Sequence, residues 1–195
     1  PRKAIDFYEQ ALAISREIGD RRGEGNHLGN LGNAHSDLGD PRKAIDFYEK
    51  ALAISREIGD RRGEGNHLGN LGNAYYHLGD PRKAIGFYEE ALAISREIGD
   101  RRNEGNHLGN LGLAYSDLGD PRKAIGFYEE ALAISREIGN LLGEGNGLFN
   151  MSSSLRALGQ NEKAVSLARS ALAIYEEIES PRAETVRKTL AEWGG

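Results

Sequence analysis

Asparagines recur at spacings of four and three along this chain: Asn26, Asn30 and Asn33, then Asn66, Asn70 and Asn73, then Asn106 and Asn110, then Asn146 and Asn150. On a helix such residues share one face. Each amide offers donors and an acceptor together. A ladder of them can hydrogen-bond the main chain of an extended peptide whatever its sequence. It can equally link neighbouring helices or solvate a polar surface, and the spacing leaves both roles open. Other chemistry is poorly supported. His27, His67 and His107 hold one position in successive blocks, and His35 and His77 follow eight and ten residues after their local partners. No two histidines stand four apart on a helical face, as a helical zinc site needs, so a packing or surface role is expected and no metal. Gly63-x-Gly65-x-x-x-Gly69 has the wrong spacing for a dinucleotide loop, and no strand precedes it. Acid pairs such as Glu89-Glu90 have no reason for a raised pKa. The expectation is a protein that is not an enzyme and binds no cofactor. Asn150-Met151-Ser152 is formally a glycosylation sequon but falls in a helical pattern.

The elements that carry these residues repeat every 40 residues. Pro1-Arg2-Lys3-Ala4-Ile5 returns from Pro41, Pro81 and Pro121, and the first two blocks differ at four of 40 positions. A fixed period in this range marks stacked repeats, which present long surfaces and favour binding over catalysis. In the second block Asp80-Pro81 reads as a helix start, Asp as N-cap and Pro at the first helical position. Ala84, Ile85, Tyr88, Ala91, Leu92 and Ile98 then form a helical stripe, stopped at Gly99-Asp100. Before it, Leu68, Leu71, Tyr75 and Leu78 mark another helix, ended by Gly79. Each block is therefore two antiparallel helices, a shorter A and a longer B. Glycines within A cost roughly 0.8–1 kcal/mol each relative to Ala, so A should depend on its neighbours.

The phrase Asn70-Leu71-Gly72-Asn73-Ala74-Tyr75, followed by Gly79-Asp80, Ala84-Ile85, Tyr88 and Ala91-Leu92, resembles the tetratricopeptide repeat. The match recurs through nearly the whole chain. The period exceeds that family's usual 34 residues, and Ser95 to Asp100 are assigned to a longer helix B and its exit loop. Leu-Gly-Asn in helix A resembles the long repeats of kinesin light chains and the Leu-Gly-Asn spindle-orientation adaptors. The resemblance implies an all-α, right-handed superhelical solenoid of antiparallel helix pairs. It parses as a single array over residues 1–195. An orphan B helix occupies 1–18, pairs follow at about 23–60, 63–100, 103–140 and 142–180, and a capping helix lies near 182–193. It also implies that Gly72 sits where A and B approach closely, and that the asparagine face of A lines a concave groove. That groove would bind a peptide or helical segment of a protein partner.

Within that frame the differences between blocks point to side-chain selection. Asn33 becomes Asn73 and then Leu113; Ser36 becomes Tyr76 and then Ser116; Asp37 becomes His77 and then Asp117. Phe149 stands where Gly109 stood, and Arg156 where Ser116 stood. Tyr76, His77, Leu113, Phe149 and Arg156 therefore join the asparagines as candidate groove residues. The positions that hold Lys and Arg in carboxylate-clamp repeats carry Asn26, Gly29 and Asn30 and their copies here. With acidic Asp37 and Asp117 at the rim, the partner is expected to be neutral or basic. Net charge is −5, and no basic stripe runs free of acids, which argues against nucleic acid. No apolar run reaches the length of a membrane span, and the lack of cysteine agrees with a reducing, cytoplasmic setting. Two alternatives remain at this level. The apolar face of the first helix, Ile5, Tyr8, Ala11 and Leu12, is suited to self-association through terminal helices. The near-identity of the blocks also allows an engineered scaffold without a native ligand, although the drifted fourth pair argues against a pure consensus design.

Overall fold

A computed structural model describes residues 2–194, which form ten α-helices and, among the described residues, no strand. The order is α1 Arg2–Glu17, α2 Arg21–Asp37, α3 Pro41–Glu57, α4 Arg61–His77, α5 Pro81–Glu97, α6 Arg101–Asp117, α7 Pro121–Glu137, α8 Leu141–Ala157, α9 Asn161–Glu177 and α10 Arg182–Glu192. Even-numbered helices are the A type and odd-numbered helices the B type. The expectation of a shorter A and a longer B is corrected: α2 to α9 all have 17 residues. The reason is that the loop residue just before each of α2 to α8 caps the helix that follows it. Asp20 does not merely close α1 but accepts a hydrogen bond from the Gly23 amide (2.9 Å) and so starts α2. Asp40 does the same for α3 through Lys43 (3.1 Å). The 40-residue period is thus two half-periods, each a 17-residue helix and a three-residue loop. Each loop glycine lies in the left-handed region, Gly39 for example at φ 76°, a conformation that favours glycine. At the loop before α10 that position is Glu179, at φ 51°.

Packing divides the chain at the Gly99–Asp100 loop into two compact units. In the first, α2 packs on α3 and α4 on α5, α1 lies against α2, α3 against α4, and α2 touches α4. Its core joins Leu12, Leu28, Leu31, Ala51 and Ile54, and beside them Ile45, Tyr48, Leu52, Leu68, Leu71 and Ile94. In the second unit α6 to α10 follow the same scheme around Tyr128, Leu132, Leu148, Met151, Leu155 and Tyr175. Ala183, Val186 and Leu190 of α10 close that core, while Arg182, Glu184, Thr185, Arg187 and Lys188 face solvent.

The helices of a pair meet where A carries glycine and B carries tyrosine. A Cβ placed on Gly32 would lie 2.4 Å from Tyr48 Cε1, and the same distance separates Gly72 from Tyr88 and Gly112 from Tyr128. No real Cβ tolerates that separation, so the ring lies directly on the A backbone. A second contact sets Gly25 on Ile54 and Gly65 on Ile94. In the α8–α9 pair the two contacts trade places. Ser152 replaces the glycine and Ala168 the tyrosine, while Tyr175 now rests on Gly145, its Cε1 2.9 Å from a Cβ there. The ring is kept and moves to the opposite end of the interface.

Two substitutions of one kind should therefore act in opposite directions. Gly72→Ala is expected to destabilise by about 1–3 kcal/mol, because overpacking against Tyr88 outweighs the gain in helix propensity. Gly86→Ala, on an exposed stretch of α5 where a Cβ meets nothing within 4 Å, should stabilise by about 0.5–1 kcal/mol. Urea unfolding of both variants checks the pair.

Candidate functional site

The asparagine face divides into amides held by the protein and amides left bare. Asn33 Oδ1 accepts from the Tyr48 hydroxyl (2.8 Å) and from Asn70 Nδ2 (3.2 Å), so it ties α2 both to α3 and to α4. Asn73 accepts from Tyr88 (2.8 Å). Asn146 accepts from Tyr175 (2.7 Å) and from the Arg182 guanidinium (2.9 Å), which fastens α8 to α9 and to the start of α10. These residues position the hydroxyl end of the tyrosine that lies on glycine. Asn66 and Asn110 have interactions of their own. Asn26, Asn30, Asn106 and Asn150 make no side-chain hydrogen bond among the described residues, and Asn26, Asn66 and Asn106 are exposed.

The side chains expected to select a ligand lie in different settings. Tyr76 is half-buried and His77 exposed, their rings edge-on at 6.0 Å in the last turn of α4. Leu113 and Phe149 are half-buried and pack on the same core of the second unit. Arg156 turns its guanidinium over the Trp193 ring, 5.4 Å from the centroid. On the opposite flank of the A helices aromatic rings stack on the B helix: His35 on Phe47, Tyr75 on Phe87 and Tyr115 on Phe127, at 5.3–5.4 Å. Lys83 and Lys123 cover the two tyrosines at 3.9 Å.

The sequence hides one repeated feature, a carboxylate relay. Glu24 is buried and receives Arg16 Nε from α1 (2.8 Å) and the guanidinium of Arg21, whose Nε also reaches Glu57 at the end of α3 (3.1 Å). Glu64 joins Arg56 and Arg61 in the same way, and Arg61 reaches Glu97. In the second unit Arg101 bridges Glu104 and Glu137. The hydrogen bond from Arg16 is the main cause that holds Glu24 below the ordinary carboxylate range. The signal was a first-turn glutamate at Glu24, Glu64 and Glu104, each with arginines eight residues and three residues before it. Without the fold, that pattern reads as ordinary surface charge. Among the described residues no group of His, Asp or Glu stands close enough to hold a metal ion, and no helix is long and apolar enough to cross a membrane.

Models of the tetratricopeptide repeat match residues 1–57 and 63–137, and a second such model matches residues 150–182. The chain belongs to the tetratricopeptide repeat family. Solved structures share its fold at low identity. BtubC (BKLC) from P. vanneervenii is 21% identical, with a TM-score of 0.85 over 98% of this chain and 82% of its own. A Podosopora anserina putative kinesin light chain with nearly identical repeats is 19% identical, with a TM-score of 0.72 over 91% of this chain and 88% of its own. A Rap protein complexed with Competence and Sporulation Factor is 17% identical, with a TM-score of 0.76 over 97% of this chain and 58% of the Rap chain. No curated protein sequence matches the chain. The glycine-on-tyrosine contact falls on the repeat's positions Gly72 and Tyr88, as the resemblance implied.

His35, His67 and His107 take the packing role, whereas His77 is exposed. His67 and His107 are buried, and both ring nitrogens of His107 lack a hydrogen-bond partner among the described residues. Desolvation pushes His107 down to about 4, against a smaller opposing pull from Asp100. His67 is lowered by the same cause, opposed by Asp60. An unfolded histidine takes up its proton near pH 6.5, before the folded one does, so stability is whole above that pH and falls as pH drops toward 4. His107 alone should account for about 2 kcal/mol lost between about pH 7.5 and about pH 5. Glu24, held low chiefly by its hydrogen bond from Arg16, contributes its loss at lower pH. Urea unfolding at the two pH values should show a smaller difference for His107→Leu than for the parent; equal differences would refute the assignment.

Proposed function

We propose that this tetratricopeptide array is a protein-interaction scaffold whose A-helix face binds a peptide or helical segment of a neutral or basic partner in a concave groove. The observation that carries the reading is the bare amide at one repeat position in two of the A helices, Asn26 of α2 and Asn106 of α6, both exposed and without a partner among the described residues. Where the protein needs an asparagine for its own packing, as at Asn33 and Asn146, the amide is engaged, so the free ones have no structural duty that the fold reveals. Tyr76, His77, Leu113 and Phe149 are the side chains proposed to discriminate among partners. Arg156 joins them by way of its Trp193 stack. Acidic Asp37 and Asp117, at the last turns of α2 and α6, support the preference for a neutral or basic ligand. The Rap protein of similar fold, solved in complex with Competence and Sporulation Factor, supports binding as a use of such a fold. The reading includes no catalysis, no nucleic acid and no membrane, and its cysteine-free composition fits the cytoplasm.

Self-association is a second reading, favoured by one observation. The face of Ile5, Tyr8 and Leu12 is not the free one, since it packs on the core beside Leu28 and Leu31. Instead Phe7, Ile14 and Ile18 of α1 are 70%, 57% and 70% exposed, whereas Ile54, the copy of Ile14, is 5% exposed against Gly25. Mass measured across a concentration series separates the two readings: the groove reading expects binding by a monomer, and the second expects an oligomer that Ile14→Asp disperses.

For the groove, a random peptide library is selected on the full chain and the best peptide is titrated by calorimetry. Asn26→Ala and Asn106→Ala should each weaken it by about 0.5–1.5 kcal/mol with unfolding unchanged. A selection that yields no binder, or affinities untouched by both changes, would remove the asparagine face from function.

A further inference from the structure

We propose, building on the groove reading, that the A-helix face of the second unit contains a slot between α6 and α8 that receives the imidazole of a histidine in a bound peptide. The first unit shows how such a step is filled. His67 of α4 lies on Gly29 of α2, with its Cε1 2.6 Å from where a Cβ on Gly29 would stand. The ring is the wedge between the two A helices. Beside it, Asn70 of α4 donates to Asn33 of α2.

The corresponding step of the second unit has lost both fittings. Gly147 stands in place of the histidine, and Gly109 is the counterpart of Gly29. A Cβ on Gly109 meets nothing within 4 Å. The helix has not moved in to close the gap. A Cβ on Gly147 would find only ordinary contacts, 3.8 Å to Leu132 Cβ and 3.9 Å to the Tyr128 carbonyl, on the side of α7. Leu113 replaces the acceptor asparagine, and Asn150, the counterpart of Asn70, makes no side-chain hydrogen bond among the described residues. One step further along, the glycine's place is taken by Phe149, which packs on the core as Trp193 does. The α6–α8 step therefore combines a glycine floor, an apolar neighbour in Leu113 and two unengaged amides, Asn106 and Asn150.

Imidazole is the occupant because the protein itself uses that ring in the equivalent space. A flat five-membered ring can lie on bare glycine backbone where a branched side chain cannot. Here it would also find what His67 lacks. His67 Nδ1 is buried without a partner, whereas an amide at Asn106 or Asn150 can donate to one ring nitrogen or accept from the other.

The test uses 15N-labelled full-length chain titrated with 4-methylimidazole at about pH 8, where the ring is neutral, followed through the amides of Gly109 and Gly147 and the side-chain amide of Asn150. Saturable shifts at these groups are expected. Gly147→His should abolish them while raising the urea midpoint, since it restores the wedge, and Gly109→Leu should abolish them from the other wall. No saturable shift, or the same shifts in Gly147→His, would overturn the slot. The groove reading fails or stands separately. Library peptides that bind the face, show no histidine enrichment and leave Gly109 and Gly147 unshifted overturn the slot alone. A saturating 4-methylimidazole response with no peptide binder supports the slot and overturns the groove.

Discussion

The contact on which the rest of this fold depends is a tyrosine ring laid on a glycine backbone. It brings an A helix and its B helix closer than any side chain at Gly32, Gly72 or Gly112 would allow. That approach has a local cost, since each glycine weakens its own helix by roughly 0.8–1 kcal/mol. Burial of Tyr48, Tyr88 and Tyr128 offsets it, each ring at most 3% exposed. The ring then carries its hydroxyl to the edge of the interface, where Asn33 or Asn73 accepts it. An asparagine on the candidate face of A is in this way part of the A–B contact. Packing and surface chemistry are coupled through one side chain.

The α8–α9 pair shows that the constraint is the ring, not its position. Losing Tyr128's counterpart to Ala168 would leave a void if nothing else changed. Ser152 takes some of that room, and Tyr175 supplies a new ring over Gly145 with its hydroxyl on Asn146. Because Asn146 also accepts from Arg182, the relocated tyrosine connects to the closing helix α10. The drift of this pair is therefore organised: one change in the α8–α9 contact is matched by another.

Electrostatics follow the same economy of position. Each buried first-turn glutamate of the first unit gathers one arginine from the preceding B helix and one from its own N-terminus, which then reaches the end of the following B helix. Three helices are tied by one carboxylate. The arginines so engaged are not available to form a basic surface, which accounts for a chain with many cations and no cationic stripe.

Much of this was determined by the sequence alone. The period, the Asp-Pro and Gly-Asp punctuation and the helical stripes are local signals, set by backbone dihedrals and side-chain spacing, and they were enough for ten helices and the family. Equal lengths of A and B were hidden because Asp20, Asp60 and Asp100 read as helix stops, whereas a cap belongs to the helix that follows it. The candidate face was legible as a face, since i, i+4 and i+7 share a side of any helix. Which of its amides are engaged was not, because a hydrogen bond from Tyr48 to Asn33 or from Asn70 to Asn33 depends on how two helices are placed in space. The same holds for the open step at Gly109. Its room is a relation between Gly109 on α6 and the missing histidine at Gly147 on α8, 38 residues apart in sequence, and distance in the chain says nothing of it until the helices are packed.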